Sequence, residues 1–255
     1  MALLEVRKLD KSFGGLRAVG DVSFSVPEGS IKAVIGPNGA GKTTLFNLIT
    51  GNIPADRGEI VFNGQPVQKM QAWRIATLGM SRTFQNIKMF HGMTALENVM
   101  VGCHAKSKAG FLSGMFNLPW TWKEEKEIRQ RSMELLDLLE IGEFADVDGS
   151  SLSFGQQRAV ELARALASDP TLLLLDEPAA GLNIYETAEL AKLISRIRDL
   201  GITILLVEHD MSLVMDISDQ ITVLSFGEKI AEGTPMEIQN NPEVIKIYLG
   251  EDDDA

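Results

Sequence analysis

The spacing of apolar positions changes along the chain, and each change predicts an element. From Met1 to Pro27 apolar and polar residues alternate around a Gly14-Gly15 turn, which predicts short antiparallel strands over Leu3 to Leu9 and Val22 to Val26. Ile60-Val61-Phe62 followed by Asn63-Gly64 predicts a second hairpin. Three other runs are nearly continuous in apolar residues: Ile31 to Ile35, Leu172 to Leu175 and Ile202 to Val207. That is the pattern of parallel strands buried on both faces. Helical spacing lies between them. Thr44 to Thr50 places Leu45, Leu48 and Ile49 inward before Gly51; a helix from Lys123 carries Ile128, Leu135 and Leu139 and is predicted to end at Gly142. Another runs from about Gln157 to Ala167, bounded by Pro170, and a fourth presents Leu190, Leu193, Ile194 and Ile197 before Gly201. Strands alternating with helices, and polar residues where the strands stop, predict a doubly wound α/β core with its ligand at that edge.

Between Asn86 and Ser168 the pattern loses this regularity. Ile87 to Gly102 is mixed, and Cys103 to Trp122 reads as irregular, with Gly110, Gly114 and Pro119 interrupting Phe111, Leu112, Met115, Phe116, Trp120 and Trp122. So much aromatic surface is costly in water, so the segment either folds back on the domain, which is the expectation, or meets a partner.

A chain of 255 residues can bury a full core, and no internal repeat is visible. No apolar run is long enough to cross a bilayer and the N-terminus lacks the layout of a signal peptide, so a soluble chain is expected. Cys103, the single cysteine, rules out an internal disulfide and any cysteine-based metal site, and is expected to be inert in a reducing cytosol. The net charge of −11 argues against nucleic acid as a partner. Part of it lies in Glu251-Asp252-Asp253-Asp254, read as a solvated end.

The chemistry starts at Gly36-Pro37-Asn38-Gly39-Ala40-Gly41-Lys42-Thr43, with Thr44 behind it, which fits G-x-x-x-x-G-K-[ST] between a strand and a helix. Glycines let successive N–H groups turn inward, the helix start is positive, and Lys42 adds a full charge, so the segment is built to hold phosphates. Thr43 offers a hydroxyl to Mg²⁺. The strand ending at Asp176-Glu177 supplies one carboxylate for the metal, Asp176, and one to orient and deprotonate an attacking water, Glu177. His209 follows another buried strand and is placed to contact the γ-phosphate or the water, whereas His91 and His104 lack such context and read as surface residues. Leu152-Ser153-Phe154-Gly155-Gln156 opens a helix and is a second potential anion site, redundant within one chain. Phe13 is either a platform for an adenine ring or a core residue, and its spacing favours core.

On these motifs the chain resembles the ATP-binding subunit of an ABC transporter. Gly36 to Thr43 matches the Walker A loop, Leu172 to Asp176 with Glu177 matches Walker B and its glutamate, Gln85 matches the Q-loop glutamine, Leu152 to Gln156 resembles the signature motif, and His209 matches the switch histidine. The resemblance implies an α/β P-loop NTPase fold with a mainly parallel sheet, a small antiparallel β subdomain and an inserted helical subdomain. The expected boundaries are residues 1–85 and 169–235 for the core, 86–168 for the helical insert and 236–255 for a helical tail. It also implies ATP and Mg²⁺ as ligands, with Gln85 joining Thr43 and Asp176 at the metal, and Phe13 as the adenine platform. In this family two cassettes sandwich two ATP molecules, so that Ser153, Gly155 and Gln156 complete the partner's site. Two positions depart from the family pattern: Phe154 stands where a glycine is usual, and Asn183 where an aspartate is usual in the D-loop Ala180-Gly181-Leu182-Asn183.

More narrowly, Phe13-Gly14-Gly15-Leu16, Ser81-Arg82-Thr83-Phe84-Gln85, the insert before Lys123, Ala179 to Asn183, Glu208-His209-Asp210-Met211, Gly233-Thr234-Pro235 and Tyr248-Leu249-Gly250 resemble the larger ATPase subunit of bacterial branched-chain amino acid importers. Urea and short-amide importers and a lipopolysaccharide-export ATPase are related alternatives, and a non-transport ABC protein is a more distant one. The resemblance implies a second ATPase subunit, identical or paralogous, two transmembrane permease subunits, and indirectly a periplasmic binding protein. It places the chain peripherally on the cytoplasmic face of the bacterial inner membrane, with Gln85 and Ile87 to Phe90 relaying contact to the permease.

Overall fold

The computed structural model describes residues 1–83, 85, 87–103 and 119–249. Phe84, His104, the aromatics Phe111 to Phe116, Gly250 and the acidic tail therefore lie outside the described residues, as do the side chains of Trp120, Trp122 and Leu249. Contacts divide the chain into two units, Met1–Arg82 with Thr171–Ala255, and Thr83–Pro170.

The first unit holds two sheets. Strands β1 (Ala2–Phe13), β2 (Leu16–Pro27), β3 (Ile31–Ile35), β4 (Arg57–Phe62), β5 (Gln65–Pro66), β6 (Met80–Arg82), β7 (Leu172–Asp176), β8 (Thr203–Val207), β9 (Gln220–Ser225) and β10 (Glu228–Gly233) follow one another in the chain. One sheet is antiparallel in the order β2-β1-β4-β5; the other has the order β10-β9-β3-β8-β7-β6. In the second sheet only β9 and β10 pair antiparallel, and every other pairing is parallel. This is the α/β fold that the alternating pattern predicts. Both hairpin turns form where expected: Phe13 pairs with Leu16 across Gly14-Gly15, and Phe62 pairs with Gln65 across Asn63-Gly64, both of whose central residues have positive φ. The first two strands run longer than predicted because their polar ends pair with each other in the hairpin.

All five positions of β3, β7 and β8 are buried, as continuous apolar strands require. Thr203 and Asp176 are polar only at strand ends, whereas Lys32 lies inside β3 and survives burial by donating to Glu232 and to Gln220 at 3.3 Å. The helix Lys42–Ile49 buries Leu45, Phe46, Leu48 and Ile49 in one cluster with Leu4, Val6, Leu9, Val34, Leu174 and Val207, drawn from both sheets. Each such side chain contributes about 1.5–3 kcal/mol by burial. That cluster fixes the start of this helix relative to the strand ends.

The second unit packs the helices Ala95–Cys103, Pro119–Leu138 and Phe154–Leu166 on one another. Three boundaries differ from the sequence reading, and one helix is additional to it. The middle helix begins at Pro119 and not at Lys123, so the end of the stretch read as irregular is helical. The middle helix does not run to Gly142: Glu140 takes the left-handed conformation, φ +61°, while its N–H bonds to Asp137 O and that of Ile141 to Leu136 O, a Schellman stop built without glycine. Gly142 instead opens a short 3₁₀ turn, Gly142–Phe144. The last helix begins at Phe154, three residues earlier than expected, because Ser153 and Gln156 form a reciprocal capping box. Ala95–Cys103 was not anticipated at all. Cys103 is buried against Ser132 at 3.8 Å and burial pushes its thiol up, so it behaves as a core residue. His91 is exposed.

Candidate active site

Three parallel strands bring the polar residues of the first unit to one edge. β3 turns at Ile35 into the loop Gly36 to Lys42, β7 ends at Asp176 beside Glu177, and β8 ends at Val207 before Glu208 and His209. Register places Asp176 opposite Val207, and Val34 opposite Val207 on the other side, so the three ends are level.

The loop is tightly wound. A Cβ at Gly36 would stand 2.1 Å from Leu224 O, and at Gly41, whose φ is +98°, 2.3 Å from Ala18 O, so both positions need glycine. The helix after Gly41 receives no side-chain cap, which leaves its first N–H groups without that partner. It starts at Lys42, two residues before the expected Thr44. Lys42 Nζ donates to Gly36 O at 2.6 Å and to Pro37 O at 3.0 Å, which draws the ammonium back over the loop. Burial lowers the pKa of Lys42, and the Coulomb pull of Glu177 and Asp176 works against that fall.

A cleft of about 400 Å³ opens over this loop, lined by Phe13, Leu16, residues 38–44, Glu177 and Phe226 among others. Phe13 is 50 % exposed, so the core reading that its spacing favoured is wrong and the open face is available to a flat ring. Its strand has already left the core by Ser12. Phe226 is an addition that sequence reasoning missed. It sits at φ +47° on the β9–β10 turn, which is tied down by Gly227 N to Ala40 O at 3.1 Å and Gly20 N to Gly227 O at 2.8 Å.

Asp176 is paired with Arg82, Nη2 to Oδ2 at 2.6 Å, and the same guanidinium donates to Asn47 Oδ1 at 2.8 Å and Thr50 Oγ1 at 3.3 Å. Arg82 thus ties the strand end to the phosphate-loop helix. The two side chains are 8 % and 7 % exposed, so this is a buried pair, and removing one partner strands the other. Arg82→Met is expected to lower unfolding stability by about 3–5 kcal/mol, read from urea or guanidinium melts. A change under about 1 kcal/mol would show that Asp176 has no need of it.

Glu177 adopts φ +47°, and its N–H bonds to Val207 O at 2.9 Å. His209 Nδ1 lies 4.0 Å from Glu177 Oε2. Asn183 has a plain structural use that its residue type alone did not reveal: it caps the helix Ile184–Asp199, with Oδ1 accepting from Tyr185 N and Glu186 N.

The remaining sequence-predicted residues belong to the second unit. Gln85 is exposed, and its carbonyl accepts from Arg158 Nη2 at 3.3 Å; Arg158 stands on the same helix that Ser153, Gly155 and Gln156 open and pairs with Glu161 at 2.7 Å. The backbone of Gln85 is therefore tied to the helix that the signature opens. Phe154 is exposed at the start of the helix, over the Arg158 guanidinium.

Residues 19–180 match the ABC transporter family. The chain belongs to the ABC transporter family. Residues 228–254 match in addition the family of branched-chain amino acid ATP-binding cassette transporters. The chain is similar to the high-affinity branched-chain amino acid transport ATP-binding protein BraF of Pseudomonas aeruginosa, 45 % identical over 98 % of both chains, and to LivG of Escherichia coli, 44 % identical over the same share. A probable branched-chain amino acid transport protein LivG of Archaeoglobus fulgidus is 37 % identical over 99 % of this chain and 97 % of its own. Among solved structures it resembles an ATP-binding cassette of an ABC transporter in its ADP conformation, TM-score 0.86 at 32 % identity, covering 98 % and 99 % of the two chains. A dimeric bacterial ABC transporter cassette matches with TM-score 0.77 at 26 % identity over 91 % of this chain and 98 % of that one. The chain is an ABC ATPase. Among the described residues no helix is long and apolar enough to cross a membrane.

Proposed function

We propose that this chain is the ATP-hydrolysing subunit of an importer for branched-chain amino acids. It would work peripherally at the cytoplasmic face of the inner membrane, paired with a second cassette against two permease subunits that receive cargo from a periplasmic binding protein. The observation that carries the catalytic part is the convergence of the Gly36–Thr43 loop, Asp176, Glu177 and His209 at one edge of one sheet. The cargo follows from likeness to BraF and LivG over nearly the whole length.

In this reading the loop amides and Lys42 hold the phosphates of ATP, and Phe13 takes the adenine face. Lys42 is kept close by two carbonyl oxygens, so a short movement exchanges them for phosphate oxygens. Glu177 takes a proton from the water whose oxygen attacks the γ-phosphorus; the bond to the β-phosphate oxygen breaks, and ADP and phosphate leave. His209 steadies the γ-phosphate from the next strand. The Thr43 hydroxyl and the Asp176 carboxylate are hard oxygen donors, which fits Mg²⁺, and the ion when bound neutralises charge on the phosphate oxygens. Arg82 fixes one oxygen of Asp176 and so orients the other.

The roles of Gln85, Ser153, Gly155 and Gln156 rest on the motifs. Ser153 N and Gln156 Oε1 bond to each other at 2.9 Å, so the signature turn is preformed at an exposed helix start, which suits delivery to a partner's nucleotide. Ser153→Arg in one subunit is therefore expected to reduce hydrolysis by about tenfold or more without loss of ATP binding by that subunit. Unaltered hydrolysis in the assembled pair would refute the sandwich.

A further inference from the structure

Glu208 has no part in the scheme above, yet it is among the most enclosed charged groups of the first unit, with no exposed surface. Its two oxygens face different segments. Oε1 accepts from Ala179 N at 2.7 Å, while Oε2 accepts from His209 N at 2.9 Å and Asp210 N at 3.2 Å. His209 Nδ1 is also 3.7 Å from Oε2. A buried carboxylate is tolerable when its charge is spread over donors in this way. What matters is where those donors sit.

Glu177 occupies the left-handed region, φ +47°, which a non-glycine side chain adopts only where its surroundings enforce it. Pro178, next to it, has no N–H to donate. The two amides that flank this strained step are both bonded to the end of β8: Glu177 N to Val207 O at 2.9 Å, and Ala179 N to the Glu208 side chain. The turn is closed by Ala180 N to Glu177 O at 3.1 Å. One carboxylate therefore grips both the segment that carries Glu177 and the backbone of His209.

We propose that Glu208 is a positioning residue for hydrolysis, which holds Glu177 in its strained turn and aligns His209 with it, so that base and histidine move as one piece. This rests on the assignment of Glu177 as base. Glu208 touches neither nucleotide nor water itself; it acts through its two neighbours.

The test is Glu208→Gln in the purified full chain. Glutamine keeps one acceptor oxygen and sets an NH₂ against N–H donors, so one half of the grip fails. Misalignment on the order of 1 Å costs about 10²-fold, and kcat is expected to fall about 10- to 100-fold. The affinity for MgATP, read with a fluorescent ATP analogue, stays within about twofold, because the phosphate loop is untouched. In a Glu177→Gln background the same change is expected to alter the residual rate by less than about threefold, since residues acting as a unit are not additive. If Gln does not fold, Glu208→Asp carries the test with the same expected split, since it retains the charge and both oxygens but is one methylene short. An unchanged kcat in a folded variant, equal losses of kcat and affinity, or a full further loss in the Glu177→Gln background would each overturn the proposal. Failure of the base assignment looks different: Glu177→Gln itself would then hydrolyse ATP normally.

Discussion

Glu177→Gln is expected to slow ATP hydrolysis by about 10² to 10⁴ while ATP affinity changes no more than a few-fold. The size follows from what is removed. General-base catalysis is worth roughly that factor, and glutamine keeps the volume and an acceptor oxygen but cannot take the proton. Binding is spared because the contacts made by the phosphate loop come from backbone amides and Lys42, on a different strand end. The substitution is also mild for the fold: the Glu177 side chain is 19 % exposed, and the bond that anchors its turn to Val207 is made by its own backbone. Single-turnover hydrolysis measures the effect directly. A rate within about threefold of wild type would remove Glu177 from the role of base.

Lys42→Ala is expected to act earlier, at binding. The ammonium is held by Gly36 O and Pro37 O and lies in a partly buried site from which burial lowers its pKa. Phosphate oxygens offer it a charged partner where the protein alone offers carbonyls. Hydrogen bonds to charged groups contribute about 1.5–3 kcal/mol, so loss of this one is expected to weaken ATP binding about 10- to 150-fold. Hydrolysis should fall further, since the same charge faces the phosphate as its charge redistributes in the transition state. Titration calorimetry separates the two effects. Binding at wild-type affinity would mean that the loop amides suffice alone.

Most of the parallel sheet was legible, because a strand buried on both faces leaves an apolar run with a polar residue at its end, as in Leu172 to Asp176 and Ile202 to His209. The phosphate loop was legible for a similar reason: glycine and lysine at fixed spacing have few other uses. The helix Ala95–Cys103 was missed although Thr94 and Glu97 spell a capping box, realised here with bonds of 2.8 and 3.2 Å. Asn98 is a polar residue on the buried face of this helix, which breaks its apolar pattern. Its amide donates to Met93 O and Thr94 O and its oxygen accepts from Phe90 N, bonds to the preceding loop that periodicity cannot register. Phe13 failed the other way, as an aromatic residue in an alternating strand that the hairpin carries out of the core. In the sequence Arg82 and Glu208 stand out only as members of motifs. Their partners are Asp176, 94 residues away, and Ala179, 29 residues away, distances at which one sequence carries no signal.

The central claim is that this ATPase powers uptake of branched-chain amino acids, and transport in cells tests it more directly than any assay of the isolated chain. Uptake of labelled leucine and labelled urea would be compared in cells whose sole copy is wild type or Lys42→Ala. The account predicts loss of leucine uptake in the variant with urea uptake unchanged. Leucine uptake at the wild-type rate would contradict it, and a selective loss of urea uptake would identify the importer as one for short amides.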